Sequence, residues 1–378
     1  MAKKNGIGSL LDWLGALQQQ VAQSIEACAG DTSSQVLPLT EEELAERIDA
    51  AMSPFQWSLG ETGVKIRFSW VCQRGYYPED LDKANQDTYL IVPSFGGNKS
   101  RFLMSVFDGH GSTGELCAQF TRDALEDTLI KLSARYPTDF PTAFKMSFLQ
   151  INQRLKMSGT DVALSGTTAC ACFFDGLKVH VANIGDSRAV LGELQADGTL
   201  AAVALSEDQT PYRADERQRI REAGGLVMTY SQMMGDAPMH DSWAVQLGQQ
   251  TDDSGDPPRV WEAGQQVPGC AFTRSIGDSL AERIGVYAEP EILTREVTSK
   301  DSVIVLASDG VWEFITSQDV INMAAQFQDP LAAARAIVVE SYRRWMQFDV
   351  RTDDITAVVA YLDQSSLQGA SGTGLLKA

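Results

Sequence analysis

The sequence Val106-Phe107-Asp108-Gly109-His110-Gly111 joins an apolar run to an acid, a histidine and two glycines. Its pattern predicts a buried strand over 104–107 that ends at Asp108. Asp108 would then carry a carboxylate to the edge of a sheet, where Gly109 lets the backbone approach a bound ion. His110 follows as a candidate proton donor. Taken alone, the same hexapeptide is equally compatible with a strand followed by a polar turn.

Two more acidic clusters adjoin apolar runs elsewhere in the chain. The run 303–307 leads through Ser308 into Asp309-Gly310, and Thr352-Asp353-Asp354-Ile355-Thr356 opens a third run. We therefore expect carboxylates from distant segments to converge at the edge of one core. A site of carboxylates with few other ligand types favours a hard cation such as Mg²⁺ or Mn²⁺ over zinc.

The composition excludes several classes of protein. A chain of 378 residues with 44% hydrophobic content can build one large domain or two smaller ones. The formal charge of -19 argues against nonspecific binding to nucleic acid or to an anionic membrane. The six cysteines show neither zinc-ligand spacing nor the density of a disulfide scaffold, so we interpret them as reduced thiols.

The N-terminal segment predicts helices and carries no targeting signal. No apolar stretch is long enough to span a bilayer, and Ala2 replaces the glycine that myristoylation requires, which favours a cytoplasmic protein that could also enter the nucleus. Apolar spacing over 5–30 predicts an amphipathic helix, for which we favour docking onto the rest of the chain over a partner or membrane contact. Thr40-Glu41-Glu42-Glu43 matches a capping box, which predicts a helix running to about Met52.

A series of motifs in a fixed order resembles the metal-dependent protein phosphatases of type 2C, the PPM family of serine/threonine phosphatases. The resemblance covers about residues 60–363 and leaves both ends unexplained. The motifs are, in chain order, Lys83-Ala84-Asn85-Gln86-Asp87, the stretch 106–111, Ser165-Gly166-Thr167-Thr168-Ala169, Asn183-Ile184-Gly185-Asp186-Ser187-Arg188, Thr273-Arg274-Ser275-Ile276-Gly277-Asp278, Ala307-Ser308-Asp309-Gly310-Val311-Trp312 and Asp353-Asp354-Ile355-Thr356.

The predicted fold class is α+β. Strands in sequence-adjacent pairs with helices grouped after them favour an antiparallel architecture over a doubly wound parallel sheet. The resemblance sharpens this to two stacked, mainly antiparallel β-sheets flanked by helices, an α-β-β-α sandwich. We divide the chain into an N-terminal helical extension at 1–59, a phosphatase catalytic domain at 60–363 and a flexible tail at 364–378. Within the domain, 226–268 is predicted to be a loop. The resemblance implies that this interval includes a flap beside the catalytic cleft, where we expect it to tune substrate choice; disorder is the alternative.

The resemblance implies hydrolysis of phosphoserine or phosphothreonine in proteins by a water held between two divalent ions, Mg²⁺ or Mn²⁺. Asp108 would bridge the ions, and Gly109 would offer its carbonyl oxygen to one of them. Asp309 and Asp353 would complete the coordination of the other ion. His110 would donate a proton to the departing side-chain oxygen, which is a poor leaving group without it.

Other positions implied by the resemblance leave alternatives open. Asp186 would hold a third, weaker metal, with Glu313 where that site often has Asp, although either could be an acid stabilised by hydrogen bonds in a turn. Gln86 stands where the family often has a metal-binding Glu, so Asp87 or a water-mediated contact would take on more of that work.

The phosphate-binding cation and the residues near the cleft are also open. Arg74 and Lys83 are both candidates, and we prefer Arg74 because a guanidinium can bind phosphate through two nitrogens; solvated surface is the competing interpretation for either. Ser112 replaces a glycine of the family and could cap the helix that follows. Arg274 is predicted to be a structural or cleft-edge cation, and Asp278 an acid behind the metal ligands.

The expected partners are phosphoprotein substrates, with no nucleic acid and no stable membrane insertion, and the expected state is a monomer. The rival from another class is a metal-binding pseudophosphatase that recognises phosphoproteins as a regulatory module, supported only by Gln86 and Ser112. A two-metal nuclease fits the carboxylates but neither the acidic surface nor the motif order.

Overall fold

The computed structural model describes residues 47–243, 245–252 and 254–364. In this part of the chain two β-sheets stack face to face, and helices cover the outer face of each sheet. The predicted α+β class and the α-β-β-α order are confirmed. The helix predicted at 5–30 and the tail from 365 onward lie outside the described residues, and the division of the chain into domains stays a prediction.

The first sheet contains seven strands, and every neighbouring pair in it is antiparallel. They are β1 (Ile48–Ala50), β2 (Phe55–Ser58), β3 (Lys65–Gln73), β9 (Arg188–Leu194), β10 (Leu200–Ala204), β16 (Asp301–Ala307) and β17 (Ile355–Asp363). The order is β1-β3-β17-β16-β9-β10, with β2 also paired to β3. The two strands that adjoin acidic clusters, β16 and β17, are therefore neighbours at the centre of the sheet.

The second sheet contains another seven strands, also antiparallel. They are β4 (Asp87–Pro93), β5 (Arg101–His110), β6 (Gly166–Thr167), β7 (Ala169–Asp175), β8 (Lys178–Ile184), β14 (Ile276–Gly277) and β15 (Glu291–Glu296). The order is β14-β6-β5-β7-β8-β15, and β4 also pairs with β5. The hairpin predicted around Asp175-Gly176 joins β7 to β8, where Gly176 adopts the positive φ of 62° that such a turn requires.

Helices cover the outer faces of the two sheets. The described helices are α1 (Gly114–Arg135), α2 (Phe140–Lys156), α3 (Ala214–Glu222), α4 (Tyr230–Met234), α5 (Ser279–Glu282), α6 (Asp309–Trp312), α7 (Ser317–Ala324) and α8 (Pro330–Phe348), with one 3₁₀ turn at Phe95–Gly97. α1 and α2 pack on the second sheet, and α6, α7 and α8 pack on the first. Among the described helices, none combines the length and the apolarity needed to cross a membrane.

Three apolar clusters separate the four layers. The cluster between the sheets includes Phe68, Phe102, Phe174, Leu306 and Val358, all of them buried. A second cluster lies between the second sheet and α1 and α2, and a third lies between the first sheet and α6 to α8. Alternation along each strand sends successive side chains into different clusters, so each sheet is held from both faces.

The segment 226–268 is more regular than the predicted loop. It contains β11 (Leu226–Met228) and β12 (Arg259–Trp261), which form a three-stranded sheet with β13 (Pro268–Cys270). α4 begins with a capping box between Thr229 and Gln232. The sequence pattern missed these elements because strands of three residues are too short for alternation to be recognised.

The prediction of a helix that runs to about Met52 is wrong from residue 47 onward. Ile48 to Ala50 form β1, whose residues pair with Val71 to Gln73 of β3. The segment predicted as a helical extension therefore includes two strands of the first sheet. Here the hydrogen bonding and burial gained by pairing with β3 at the sheet edge outweigh the local preference for a helix.

Ser112 does not cap α1. Thr113 is the N-cap residue, and its side chain makes no capping hydrogen bond. The Thr113 hydroxyl donates instead to the backbone oxygen of Asp161, at 2.5 Å.

Candidate metal and catalytic centre

The predicted acids meet in one cleft at the same end of both sheets. Asp108 lies near the end of β5 in the second sheet, while Asp309 follows β16 and Asp353 precedes β17 in the first. Ala307 and Ala357 are paired, so the end of β16 and the beginning of β17 are adjacent. The cleft has a volume of about 400 Å³, and its wall includes Lys83, Gln86, Asp108, Gly109, His110, Asp186, Asp309 and Asp353.

The carboxylates of the cleft raise one another's pKa. Burial raises the pKa of Asp108 well above its usual range, and the nearby Asp309 and Asp87 raise it further. Burial also raises the pKa of Asp309, with Asp353 and Asp186 adding to the effect. So many buried acids would repel each other strongly if all were ionised without a cation. This donor set suits hard divalent cations, which would stabilise the ionised carboxylates.

A second group of acids extends the site. Burial, followed by the charge of Asp208, raises the pKa of Asp186 to about 6. Burial, followed by the charge of Asp186, raises the pKa of Glu313 to about 7. The charge of Asp186 thus acts on Glu313.

Asp353 is fixed by hydrogen bonds to one of its two oxygens. Oδ1 accepts from the Tyr77 hydroxyl at 2.7 Å and from the backbone N–H of Asp354 at 2.9 Å. Oδ2 is thereby left as the oxygen available to a ligand. Asp354 has a different role, because its carboxylate accepts from the backbone N–H groups of Gly75 at 2.6 Å and Gln86 at 2.8 Å.

His110 is held by a chain of contacts at the cleft wall. Its Nε2 lies 2.6 Å from Oδ2 of Asp278, which also accepts from the Ser275 hydroxyl at 2.6 Å. The ring centroids of His110 and Phe272 are 4.3 Å apart. A side chain at Gly166 would meet Asp278, since its Cβ would lie 2.1 Å from Oδ2. His110 is therefore oriented by Asp278, and Nδ1 is the nitrogen left for a substrate.

The ion pair with Asp278 also sets the charge of His110. Burial alone would lower the pKa of His110, but the charge of Asp278 and its hydrogen bond outweigh burial and raise the pKa. The protonated imidazolium is thereby favoured, which is the form a proton donor needs.

Gln86 and Asp87 differ in their positions. Gln86 is in the cleft wall, with Nε2 donating to the Gly111 carbonyl at 2.7 Å. Asp87 does not line the cleft. Its Oδ2 accepts a hydrogen bond from the Ser308 hydroxyl at 2.6 Å. Its buried Oδ1 has no hydrogen-bond partner among the described residues. Burial and the charge of Asp354 raise the pKa of Asp87 to about 8.

Gly109 is required by packing as well as by its place in the cleft. A Cβ at this position would lie 2.2 Å from the carbonyl oxygen of Gly114 and 2.7 Å from that of Gln86. The end of β5 therefore approaches the beginning of α1 closely enough to exclude any side chain.

Lys83 and Arg74, the two candidates for the phosphate-binding cation, differ in their positions. Lys83 lines the cleft, whereas Arg74 does not. The buried Nε of Arg74 has no hydrogen-bond partner among the described residues. Tyr77, Arg259, Phe272 and Arg351 also line the cleft, and sequence reasoning had not selected them. No local pattern marks these four residues, because folding alone brings them beside Asp108.

A separate cluster of acids is neutralised by arginines. Ligand oxygens of Asp215, Glu216 and Glu291 lie within 4.8 Å of one another. Arg274 pairs with Glu216 at 2.8 Å and with Glu291 at 3.1 Å, and Arg213 pairs with Glu291 and Asp215, each at 2.7 Å. We interpret this cluster as a structural ion-pair network rather than a cation site. Of the two roles predicted for Arg274, structural cation or cleft-edge cation, its ion pairs favour the structural one.

Comparisons with known proteins agree with this geometry. The family described as protein phosphatase 2C matches residues 80–346. The chain is 40% identical to probable protein phosphatase 2C 35 of Arabidopsis thaliana over 303 residues, which are 79% of this chain and 84% of that protein. It is 30% identical over 292 residues to probable protein phosphatase 2C 72 of the same plant, covering 74% of this chain and 81% of the relative.

A solved structure has the same fold. The serine-threonine phosphatase 2C from Toxoplasma gondii superposes with a TM-score of 0.65 at 18% identity. The match covers 84% of this chain and 99% of the Toxoplasma chain.

The network around Glu216 predicts how stability depends on pH. Burial alone would raise the pKa of Glu216, but hydrogen bonds from Arg274, Arg219 and Thr273 outweigh it and lower the pKa from 4.5 to about 2. The stabilisation is therefore complete above pH 4.5 and is lost as the pH falls toward 2. By linkage it amounts to roughly 3 kcal/mol.

We expect Glu216→Gln to lower the free energy of unfolding at pH 7 and to make its fall between pH 5 and pH 3 less steep. Denaturant titrations at several pH values would measure both effects. The control is Glu222→Gln, at the exposed end of the same helix. Equal pH slopes for the Glu216→Gln variant and the wild type would contradict the assignment.

Proposed function

The chain belongs to the protein phosphatase 2C family and is a metal-dependent protein serine/threonine phosphatase, and from this premise we propose how its residues act. The reaction is hydrolysis of phosphoserine or phosphothreonine in protein substrates, with His110 as the general acid. The observation that supports this most directly is the meeting of Asp108, Asp309 and Asp353 in one cleft beside a histidine bound to Asp278.

Mg²⁺ or Mn²⁺ is the proposed cofactor, with two ions held by Asp108, the Gly109 carbonyl, Asp309 and Asp353. When bound, such ions supply an activated water and offset the charge that develops on the phosphoryl group. Asp186, which lines the cleft, and Glu313, whose pKa the charge of Asp186 raises, would hold a third ion. The side-chain oxygen of Gln86 would face a cation without adding charge, and Asp87 would act from behind the cleft.

His110 would deliver the proton that the leaving serine or threonine oxygen needs. Asp278 orients the imidazole through Nε2, so Nδ1 would donate. After transfer, the neutral imidazole would regain a proton from solvent. The ring of Phe272 packs against the imidazole, tilted by 38° to it.

Lys83 would bind the phosphoryl oxygens of the substrate. It lies in the cleft wall, and its ammonium group sits 3.6 Å from the centroid of the Tyr77 ring. A lysine held in this way presents a positive charge to an anionic substrate in a cleft that contains several acids.

The state and location of the protein are also proposals. A monomer in the cytoplasm, with access to the nucleus, fits the negative charge. Light scattering on the purified chain and imaging of a fluorescent fusion would test both; a stable dimer or an organelle pattern would contradict them.

The first test compares the wild type with Asp309→Ala. We expect Mn²⁺- or Mg²⁺-dependent release of phosphate from a phosphothreonine peptide, lost in chelator and in the variant. Metal at a hundred times its Kd should also stabilise the wild type by about 2.7 kcal/mol in thermal unfolding, and the variant by much less.

Asp127→Ala, on the exposed face of α1, is the matched control and should behave as the wild type does. Folded wild-type protein that binds metal yet releases no phosphate would favour the regulatory pseudophosphatase, and Gln86→Glu would then be the first change to make.

The second test concerns His110. His110→Ala should reduce turnover of the phosphothreonine peptide by roughly 10²- to 10⁴-fold, because threonine oxygen leaves poorly without a proton. Turnover of p-nitrophenyl phosphate should fall far less, since nitrophenolate leaves without one. The exposed His240, changed to Ala, serves as control. An equal loss on both substrates would argue against a proton-donor role.

The third test concerns the segment 226–268, which we propose tunes substrate choice. Arg259 from β12 lines the cleft together with 268–272, so a positive charge faces the substrate from this segment. Arg259→Gln should lower kcat/KM about two- to fivefold more for a phosphopeptide with acidic flanking residues than for a neutral one. Arg283→Gln, on the exposed end of α5, is the control. An unchanged ratio between the peptides would refute the proposal.

A further inference from the structure

Tyr77 occupies an unusual position between two parts of the site. The residue is only 9% exposed, yet it lines the catalytic cleft. Its hydroxyl donates to Oδ1 of Asp353 at 2.7 Å, and its ring lies 3.6 Å from the Lys83 ammonium. One side chain thus contacts both a proposed metal ligand and the proposed phosphate-binding cation.

The backbone around Tyr77 is fixed to the segment that carries Asp353. The Gly75 N–H donates to Asp354 at 2.6 Å, and the Tyr76 N–H donates to the Thr352 hydroxyl at 2.8 Å. In return, the Thr352 N–H donates to the Tyr76 carbonyl at 2.9 Å. A Cβ at Gly75 would lie 2.7 Å from the Thr352 carbonyl oxygen, so the two segments touch without room for a side chain.

These contacts remove the freedom that a loop acid would otherwise have. Asp353 precedes β17 and lies outside the regular strand, so its backbone alone does not set the direction of its carboxylate. The hydroxyl of a buried tyrosine on a fixed backbone holds Oδ1 at one point. Partners of this kind orient metal ligands and influence metal affinity.

The ring of Tyr77 acts on Lys83 in a similar way. A lysine side chain has several rotatable bonds and is expensive in entropy to hold in place. A cation lying over the face of an aromatic ring is attracted by the ring's quadrupole, which restricts where the ammonium group resides. The ring therefore keeps the Lys83 charge at the cleft.

We propose that Tyr77 is a positioning residue that orients Asp353 through its hydroxyl and Lys83 through its ring. The proposal rests on the proposed function, because it takes Asp353 as a metal ligand and Lys83 as the phosphate-binding cation. The hydroxyl and the ring of Tyr77 therefore have separate effects, which different substitutions can remove. Removal of the hydroxyl should weaken metal binding, and removal of the ring should in addition weaken substrate binding.

Mn²⁺ binding tests the hydroxyl without any turnover. Chelator-stripped protein is titrated with Mn²⁺, and free Mn²⁺ is followed by electron paramagnetic resonance. Asp353→Asn identifies the binding event that depends on Asp353. Tyr77→Phe should weaken that same event about 10- to 100-fold.

Tyr89→Phe is the matched control, because the Tyr89 hydroxyl also donates to a carboxylate, that of Asp49 at 2.8 Å, and Tyr89 does not line the cleft. It should bind Mn²⁺ as the wild type does. Wild-type affinity in Tyr77→Phe would overturn the proposal. If Asp353→Asn itself changes nothing, the metal assignment of the proposed function fails instead.

Substrate kinetics at saturating Mn²⁺ test the ring. Tyr77→Phe keeps the ring and should leave KM for a phosphothreonine peptide close to that of the wild type. Tyr77→Leu should raise KM by about three- to tenfold, the value of an exposed to partly buried cation–π contact. Equal KM values for the two variants, both shown to be folded by circular dichroism, would overturn the role of the ring.

Discussion

The mutual repulsion of buried carboxylates is the constraint on which this structure depends. Asp108, Asp309 and Asp186 have raised pKa values because burial and neighbouring acids both oppose ionisation. A chain that places such groups together loses stability there when cations are absent, and must recover it elsewhere. Three apolar clusters and two seven-stranded sheets supply that support.

The polar contacts around the acids follow from the same constraint. Several of these acids either line the cleft or accept hydrogen bonds from protein donors, whereas Oδ1 of Asp87 does neither within the described part of the chain. Asp354 binds two backbone N–H groups, and Asp353 binds Tyr77 through one oxygen only. His110 is paired with Asp278, so the cleft also contains a positive group that matches its acids. The site thus combines fixed hydrogen bonds with a few oxygens left for ligands.

The sequence was sufficient for the features that depend on local pattern or on the family motifs. The end of β16, the hairpin at Gly176 and the two-sheet fold lie where the sequence predicts them, whereas β5 continues past the predicted end at Asp108 to His110. It was insufficient where distant residues decide the outcome. β1 is a strand because β3 offers an edge, and the fold places Lys83, but not Arg74, in the wall of the cleft. Tyr77 and Phe272 have no local signal at all.

The site is divided between the two sheets, and this division gives the inter-sheet core a second role. Asp108 comes from one sheet and Asp309 from the other, while Phe68, Phe102 and Phe174 fill the space between the sheets. The thickness of that aromatic layer therefore sets how far apart the two halves of the catalytic apparatus stand. A change of side-chain volume deep in the sandwich would alter the spacing of the acids, even though it touches none of them.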